Sequence, residues 1–429
     1  MKVNFEKIKY SILNFRGLIK IFTFNGISSI IRIVLGIISN KVSSVFLGPA
    51  GFALIGQFSN FGNITGTIAS GGIGNGVIKY VSEYYDDTDK REKIINTSFV
   101  IVLFCSGIAG IITVLLSWFF SGLLFNTNKY FYVFIIYGIA ISLTSLGGLF
   151  AALLNGLKES IKLITCSIII NVITVSITII LTIIGRVSGA LIAMSISAPF
   201  NLLVYYIYLK KSNFRFDKIK LKTDKESLRK ILKFSAMAFT TASVVPITQL
   251  ILRSYVMDNI SVNSAGYWQG IIKLSDMYMS VITSSIVIYY LPKLSEIKDA
   301  INLRKEIFRG YLFLLPAMFI LCCSIFILKD FIINVFFAST FKPMRDLFLP
   351  QLIGDFLKIA SCLLAYIMVA KAKGKLYIFS EISFGIFYLI LALIFLKAHG
   401  IIGITYAYDI NYFCYLIFLI IVFRKIIFL

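Results

Sequence analysis

The sequence is poor in the residue types on which metal sites and redox chemistry depend. It has 429 residues but only one histidine, His399, and only 14% of its residues are charged. A single histidine argues against a histidine-based metal site. The six cysteines lie in apolar stretches without a CxxC spacing, which indicates packing residues rather than disulfides or metal ligands. These cysteines are Cys105, Cys166, Cys322, Cys323, Cys362 and Cys414.

Motifs of known catalytic machinery are absent too. The chain has no Walker loop, no GxSxG elbow and no HExxH. The glycine-rich stretch at residues 71–76 lacks the strand–turn–helix context of a nucleotide loop, so it indicates a closely packed helix end. The triplet Asp87-Thr88-Asp89 lies in a short basic loop without a catalytic domain around it. We therefore expect no enzymatic activity, no catalytic residues, no metal and no cofactor.

The chain is rich in long apolar segments. It is 58% hydrophobic, in runs of about 20 residues that match the thickness of a bilayer, and these runs do not alternate as barrel strands do. The pattern predicts an all-α integral membrane protein with twelve spans and no cleaved signal peptide. The predicted spans are 18–38, 52–78, 95–122, 131–156, 162–184, 188–209, 232–257, 266–291, 309–328, 345–370, 376–396 and 401–423.

The net charge of +22 is a topology signal. When basic residues near the ends of a span are counted with the adjoining segment, 31 of the 42 lysines and arginines lie on one side, seven lie on the other and four lie deeper within spans. Because basic residues stay in the cytoplasm, both termini are predicted to be cytoplasmic. Attraction to anionic membrane lipids is a secondary consequence, and we expect no nucleic-acid partner, because the basic residues lie between apolar spans.

A basic linker divides the chain into halves that resemble each other. We predict an N-terminal six-helix bundle at 1–210, a solvated cytoplasmic linker at 211–231 and a C-terminal six-helix bundle at 232–429. Three weak matches share an offset of 213–215 residues: 49–52 with 264–267, 90–94 with 303–307, and 188–190 with 402–404. Six spans per copy give both copies one orientation, so we expect pseudo-symmetry about the membrane normal and a central cavity.

Four cations lie deeper within predicted spans, away from the ends, where a charge is costly to insert and indicates a specific role. Arg32 and Arg253 have no carboxylate three or four residues away, so we expect them to face a water-filled cavity. Lys273 and Lys358 each have an aspartate three residues away. These pairs either neutralise themselves within the protein or serve the same cavity. Cations in a cavity suit a phosphate or pyrophosphate, which we predict for all four.

Four carboxylates also lie inside predicted spans and are candidates for ion coupling or gating. Asp276 and Asp355 are the partners of the two lysines, and Glu381 and Asp409 lie in the last two spans. A membrane carboxylate of this kind binds a proton or Na⁺ in coupled transporters, or makes a polar contact between helices. Tyr267, Trp268, Tyr278, Tyr289 and Tyr290 are candidates for stacking on sugar rings or for core packing.

Residues 341–358 resemble a stretch of the Wzx-type O-antigen and enterobacterial-common-antigen flippases, of the form FxxMRDLFxxQLxGDxLK. Further matching segments are residues 47–51, 75–81, 266–270, 275–276 and 290–292. The resemblance covers nearly the full length. It implies membership of the MOP (multidrug, oligosaccharidyl-lipid, polysaccharide) exporter superfamily, whose V-shaped pair of six-helix bundles works by alternating access. Arg32 and Arg253 fall at basic positions of the first and seventh spans in such proteins.

The implied substrate is an oligosaccharide repeat unit on undecaprenyl pyrophosphate, moved from the inner to the outer leaflet of the bacterial inner membrane for O-antigen, lipopolysaccharide or similar surface polysaccharide. Membrane lipids, a polysaccharide polymerase and chain-length proteins are the other expected partners, and coupling to H⁺ or Na⁺ is expected. The alternative is a cation-coupled multidrug exporter of the same superfamily. A membrane glycosyltransferase or polymerase would need a large extramembrane segment, which the sequence lacks.

Overall fold

The computed structural model describes the backbone of residues 2–212, 214, 216–297, 299–371 and 373–427. Within these ranges it describes side chains from residue 24 onward, except at 25 and at several positions between 285 and 300. Every regular element in the described part is helical. The helices are α1 (Lys2–Ala69), α2 (Gly74–Glu83), α3 (Thr88–Leu115), α4 (Ser117–Phe125), α5 (Phe131–Gly156), α6 (Ser160–Lys210), α7 (Lys225–Asn259), α8 (Val262–Ser285), α9 (Leu291–Glu296), α10 (Ala300–Ile327), α11 (Lys329–Phe336), α12 (Phe348–Ala370), α13 (Gly374–His399), α14 (Ile402–Val422) and α15 (Arg424–Ile427).

Shorter helical pieces connect some of these. Three are 3₁₀ helices, at Asn128–Tyr130, Phe216–Lys218 and Ser339–Leu347. A single π-helical turn, Ile286–Tyr290, joins α8 to α9. The predicted all-α class is confirmed.

Two of the long helices each contain a sharp break. Gly48 has φ 63° and ψ −174° within α1 and is followed by Pro49, which has no N–H to continue the helix. Arg186 has φ 47° within α6. A Cβ added at Gly189 would lie 1.8 Å from the carbonyl oxygen of Leu181. Residues eight apart in a continuous helix are about 12 Å apart, so the chain folds back on itself at Arg186.

Nine described helices are long and apolar enough to cross a membrane: residues 26–69 of α1, α3, residues 128–156, α6, α7, residues 301–327, residues 339–370, α13 and α14. Residues 26–69 cover parts of two predicted spans, and α6 covers two predicted spans in full. Helix α8, which carries Lys273 and Asp276, is not among the nine. The chain is thus a multi-pass membrane protein on these grounds, whereas the number twelve stays a prediction.

The two halves repeat the same local geometry. The break at Arg186, with φ 47°, is matched 214 residues later by Gly400, with φ 59°. Leu116 ends α3 and starts the short α4 with φ −94° and ψ 14°. Leu328 ends α10 and starts the short α11 with φ −88° and ψ 8°. Left-handed backbone and helix-to-helix joints recurring at nearly one offset are what an internal repeat predicts.

The halves meet through an aromatic contact near the break in α1. The ring of Phe52, which is fully buried, lies 5.9 Å from that of Phe337 and 5.2 Å from that of Phe341. Both contacts are edge-to-face, the arrangement that aromatic quadrupoles favour. Gly266 of α8 has the carbonyl of Pro49 so close that an added Cβ would lie 1.9 Å from it. These contacts bring α1 of the first half directly against the second half.

Hydrogen bonds reinforce this seam at five residues that we call the seam latch: Lys41, Ser44, Asn334, Phe337 and Ala338. Lys41 Nζ donates to the carbonyl oxygens of Asn334 and Phe337, each at 2.6 Å. Ser44 Oγ accepts from the backbone N–H of Ala338 at 2.8 Å. The carbonyls at the end of α11 have no partner within the helix and carry partial negative charge, so a lysine from the other half stabilises them.

The basic linker is held against the first half rather than being fully solvated as predicted. Phe214 and Phe216 pack on the core of the first half. Lys218 Nζ lies 2.6 Å from Glu92 Oε1, and the Lys220 N–H donates to Asn96 Oδ1 at 2.8 Å. The linker amides and rings thus find partners on α3 and its neighbours, while most of the lysine ammonium groups stay exposed.

Helix α7 begins seven residues before the predicted span. Asp224 caps it by accepting from the N–H of Ser227 at 2.8 Å and from its hydroxyl at 2.7 Å. The hydroxyl and N–H of Ser227 hold the pKa of Asp224 below its ordinary value. A capped polar first turn can project beyond the apolar part of a span, which the hydrophobic pattern alone does not reveal.

Candidate functional site

The second half contains a partly open cavity of about 330 Å³ between α7, α8, α12, α13 and α14. Its wall is rich in tyrosine and carries three charged side chains: Asp276 from α8, Lys358 from α12 and Glu381 from α13. The tyrosines that line it are Tyr366, Tyr377, Tyr388, Tyr408, Tyr412 and Tyr415. An apolar bundle that leaves polar groups around an open volume has the composition of a ligand-binding pocket.

Asp355 lies beside this cavity and is fully buried. Its carboxylate accepts from Ser275 Oγ at 2.6 Å, Tyr408 Oη at 2.9 Å, Gln351 Nε2 at 3.2 Å and Tyr278 Oη. Four neutral donors satisfy a carboxylate that has no cation within 4.0 Å among the described side chains. Asp355 is therefore the centre of a polar network that ties α8, α12 and α14 together.

Lys358, one turn along α12 from Asp355, does not form the ion pair that its spacing allows. Its Nζ lies over the rings of Tyr412 and Tyr408, at 5.7 Å and 6.0 Å from their centroids. Aromatic faces attract a cation without neutralising it. Lys358 is thus a charged group that lines the cavity and stays available to an anion.

Lys273 and Asp276 do not pair with each other either, within 4.0 Å. Lys273 Nζ lies 4.6 Å from the centroid of Phe52, at the seam between the halves. Asp276 is exposed and lines the cavity. The alternative in which each lysine is neutralised by its neighbour on the same helix does not apply to this conformation.

Arg253 is completely buried, outside the cavity lining. Its guanidinium donates to Gln57 Oε1 at 3.3 Å and to Gln269 Oε1, and it lies over Trp268 with its Cζ 5.2 Å from the ring centroid. Its Nε has no hydrogen-bond partner. Arg253 therefore links α1 of the first half to α7 and α8 through neutral groups, and its predicted contact with pyrophosphate requires that this link open.

Arg32 lies on α1 and is exposed, but it does not line the cavity. It shares one helix face with Gly36 and Asn40, which are four and eight residues further on. Both of these lie against Met277 of α8: a Cβ on Gly36 would lie 3.4 Å from its Cε, and Asn40 Nδ2 lies 3.7 Å from its Sδ. Arg32 continues this face of α1 one turn beyond the contact with the second half.

Two of the four carboxylates differ in their surroundings. Glu381 lines the cavity, whereas Asp409 lies behind it on α14 with Oδ1 buried and without a hydrogen-bond partner. Gly354 makes room for Asp409, since an added Cβ would lie 2.6 Å from that oxygen and 2.2 Å from Tyr408 Cδ1. The cavity thus gathers Asp276, Lys358 and Glu381, with Asp409 and Asp355 behind its wall.

Sequence reasoning missed the tyrosines of the cavity wall, although Tyr408, Tyr412 and Tyr415 share one face of α14 by their spacing. Of the aromatic residues proposed for sugar stacking, Trp268 lines the cavity and Tyr278 donates to Asp355. The remaining three lie elsewhere. Tyr267 packs on Phe341, Tyr289 is exposed, and Tyr290 Oη donates to the Glu306 carbonyl at 3.1 Å.

Comparison with known proteins agrees with this architecture. A family model described as "Polysaccharide biosynthesis protein" matches residues 45–346. The lipid III flippases of Escherichia coli (strain K12) and Shigella flexneri are each 28% identical to this chain over 400 residues, covering 93% of this chain and 96% of theirs.

Solved structures share the fold at low sequence identity. The lipid II flippase MurJ in an inward closed conformation aligns with a TM-score of 0.74 at 15% identity, covering 95% of this chain and 87% of that one. An inward-facing multidrug resistance MATE family transporter of the MOP superfamily aligns with a TM-score of 0.70 at 14% identity, covering 93% and 98%. The chain shares the fold of these transporters, and it belongs to the polysaccharide biosynthesis protein family.

Proposed function

We propose that this chain is a flippase that moves undecaprenyl-pyrophosphate-linked oligosaccharide repeat units from the cytoplasmic to the periplasmic leaflet of the bacterial inner membrane. The observation that carries the proposal is the polar cavity with unpaired Asp276, Lys358 and Glu381 inside an apolar bundle. The relatedness to lipid III flippases along nearly the whole chain supports it. A charged, hydroxyl-rich headgroup needs such a polar route, while its polyprenyl tail stays in lipid.

The cations would hold the pyrophosphate. Lys358 is available at the cavity, Arg32 lies on the face of α1 that points toward α8, and Lys273 and Arg253 lie at the seam between the halves. With the cytoplasm negative, outward transfer of the anion is favoured by about 2.3 kcal/mol per charge per 100 mV. Both termini would face the cytoplasm, and the seam latch would then lie on the periplasmic side.

Alternating access would then be a separation of the halves at one end and their closure at the other. The seam latch and the Gln57–Arg253–Gln269 link are the contacts that would break when the periplasmic side opens. Asp276, Asp355, Glu381 and Asp409 are the candidates for binding H⁺ or Na⁺ during the return step. Asp409 fits best, because its buried oxygen has no partner in this conformation.

Deletion of the gene tests the proposal directly. Undecaprenyl-pyrophosphate-linked glycan should accumulate and surface polysaccharide should disappear, and a plasmid copy should restore export. Lys358→Ala should lower export by about tenfold or more, because a charge-assisted hydrogen bond contributes roughly 1.5–3 kcal/mol. Lys397→Ala, which changes an exposed lysine outside the cavity, is the matched control at equal membrane expression. Normal surface polysaccharide in the deletion strain would contradict the proposal.

One observation favours a second candidate. Two of the three charged groups of the cavity wall are carboxylates, which also suit a cationic drug. A multidrug exporter on this fold predicts that overexpression raises resistance to cationic dyes and that deletion leaves surface polysaccharide unchanged. Measuring both phenotypes in the same strains separates the two functions.

A further inference from the structure

The cavity of the second half contains a hydrogen-bond acceptor, the side-chain oxygen of Asn411, to which a pyrophosphate anion cannot donate. Asn411 of α14 lines the cavity, is only 7% exposed, and its Oδ1 makes no hydrogen bond in the structure. A buried amide oxygen without a donor costs free energy unless a ligand or water supplies one. A pyrophosphate offers acceptors to this oxygen, whereas a hydroxyl or an amide N–H offers a donor.

The rest of the wall matches a ligand that has both hydroxyl groups and apolar faces. The carboxylates of Asp276 and Glu381 are acceptors that lack an ion-pair partner within 4.0 Å. Six tyrosines and Trp268 supply flat apolar surfaces with polar edges. At about 330 Å³, the cavity is near the lower end of the usual 300–1,000 Å³ range, so it fits part of a glycan and not a long repeat unit.

We infer that this cavity binds sugar rings of the lipid-linked headgroup, with Asn411 and Glu381 hydrogen-bonding sugar hydroxyl or acetamido groups and the tyrosines stacking on ring faces. The inference rests on the proposed function and assigns a subsite to it. Lys358 lies at the same wall, so the rings held here are those next to the pyrophosphate. Arg253, sealed behind Trp268, takes no part in holding the sugar.

Trp268 provides a local probe, because the chain has two tryptophans and the other, Trp118, lies in the first half with 59% of its surface exposed. Trp118→Phe leaves Trp268 as the sole tryptophan. The purified variant in nanodiscs is titrated with three probes. They are the glycan released by mild acid from the lipid-linked pool of the deletion strain, sugar-free undecaprenyl pyrophosphate, and tetraphenylphosphonium.

The glycan is expected to change Trp268 emission with saturation. Asn411→Leu and Glu381→Gln, each in this background, should weaken glycan binding roughly fivefold to tenfold, as for a lost hydrogen bond. Tyr406→Phe is the matched control, since Tyr406 lies on α14 outside the cavity lining and is 40% exposed. The two variants lie on different helices, so the test still works if one of them fails to fold. Size-exclusion chromatography shows whether each variant is folded.

Emission that responds to sugar-free lipid or to tetraphenylphosphonium but not to glycan would overturn the inference. So would unchanged glycan affinity in both folded variants. If the Trp118→Phe protein still restores surface polysaccharide in those cases, the proposed function stands and only the subsite is wrong. If neither the Trp118→Phe protein nor the wild-type protein restores export in the deletion strain, the proposed function is wrong. The inference, which rests on it, is then wrong too.

Discussion

Arg253 shows how a charge can be kept in an apolar bundle without a counterion. Two glutamine oxygens and the face of Trp268 surround its guanidinium. The two glutamines come from different halves, Gln57 from α1 and Gln269 from α8. The arginine therefore stabilises one relative position of the halves, and its uncompensated charge makes that position easy to exchange for one in which an anion supplies the partner.

Substitution of Arg253 tests whether its hydrogen bonds to both glutamines are needed for export. Arg253→Lys should lower export nearly as much as Arg253→Ala, about tenfold or more, because a lysine cannot reach both amide oxygens with a planar fork. Export is measured at equal membrane expression, and thermal stability in detergent is measured alongside.

Arg345→Ala is the matched control, since Arg345 forms an ion pair of 3.2 Å with Asp330 in which both side chains are more than half exposed. Exposed pairs contribute little, so that variant should keep both export and stability. Full export by the Arg253→Ala variant would show that Arg253 is not needed for transport.

At the scale of helices, the site depends on how closely α12 and α14 approach. Gly354 of α12 has the Tyr408 ring and the Asp409 carboxylate where a side chain would otherwise lie. This close approach allows Tyr408 to donate to Asp355, and it buries Asp409 Oδ1. A glycine in a membrane helix commonly permits such contact between neighbours.

Gly354→Ala is therefore expected to destabilise the protein by about 1–3 kcal/mol, the usual effect of forcing an extra methyl group into a packed interior. The measurement is the midpoint of thermal unfolding by fluorescence-detected size exclusion. Gly148→Ala on α5, where an added Cβ would meet nothing within 4 Å, should leave the midpoint unchanged. Equal midpoints for the two variants would mean that α12 and α14 have room to separate.

The sequence predicts those parts of this organisation that depend on residues close together in the chain. It does not predict contacts between residues far apart in the chain. Uninterrupted apolar runs predict helices. An ionisable residue within such a run indicates a polar interior, and this pattern identified Lys358, Asp276 and Glu381, which line the cavity. Asn411 and the cavity tyrosines carry no such signal, since the chain has 23 tyrosines and most positions tolerate one. One hydrogen-bond partner of Arg253, Gln57, is 196 residues away, so no local pattern reveals the contact that holds the arginine between the halves.

For the whole molecule, the decisive feature is the set of hydrogen bonds that cross the seam between the two halves at the seam latch. The Lys41 ammonium caps the end of α11 across the seam, and Ser44 bonds to Ala338 next to it. Transport by alternating access requires these bonds to break in each cycle, whereas a static assembly would keep them. The latch therefore distinguishes a moving carrier from a rigid one.

A disulfide across the latch tests this and the topology together. Ser44→Cys with Ala338→Cys, in a background without the six native cysteines, places two thiols where Ser44 Oγ and the Ala338 nitrogen lie 2.8 Å apart. If the latch is periplasmic, the bond should form during growth without added oxidant, because that compartment favours disulfides. Export should then fall to the level of the deletion strain and return on treatment with a reductant.

Each single cysteine variant, and the pair Ser121→Cys with Thr127→Cys within the first half, should export normally. A cross-linked protein that still exports would show that the halves need not separate here, and thiols that stay reduced in growing cells would place the latch on the cytoplasmic side.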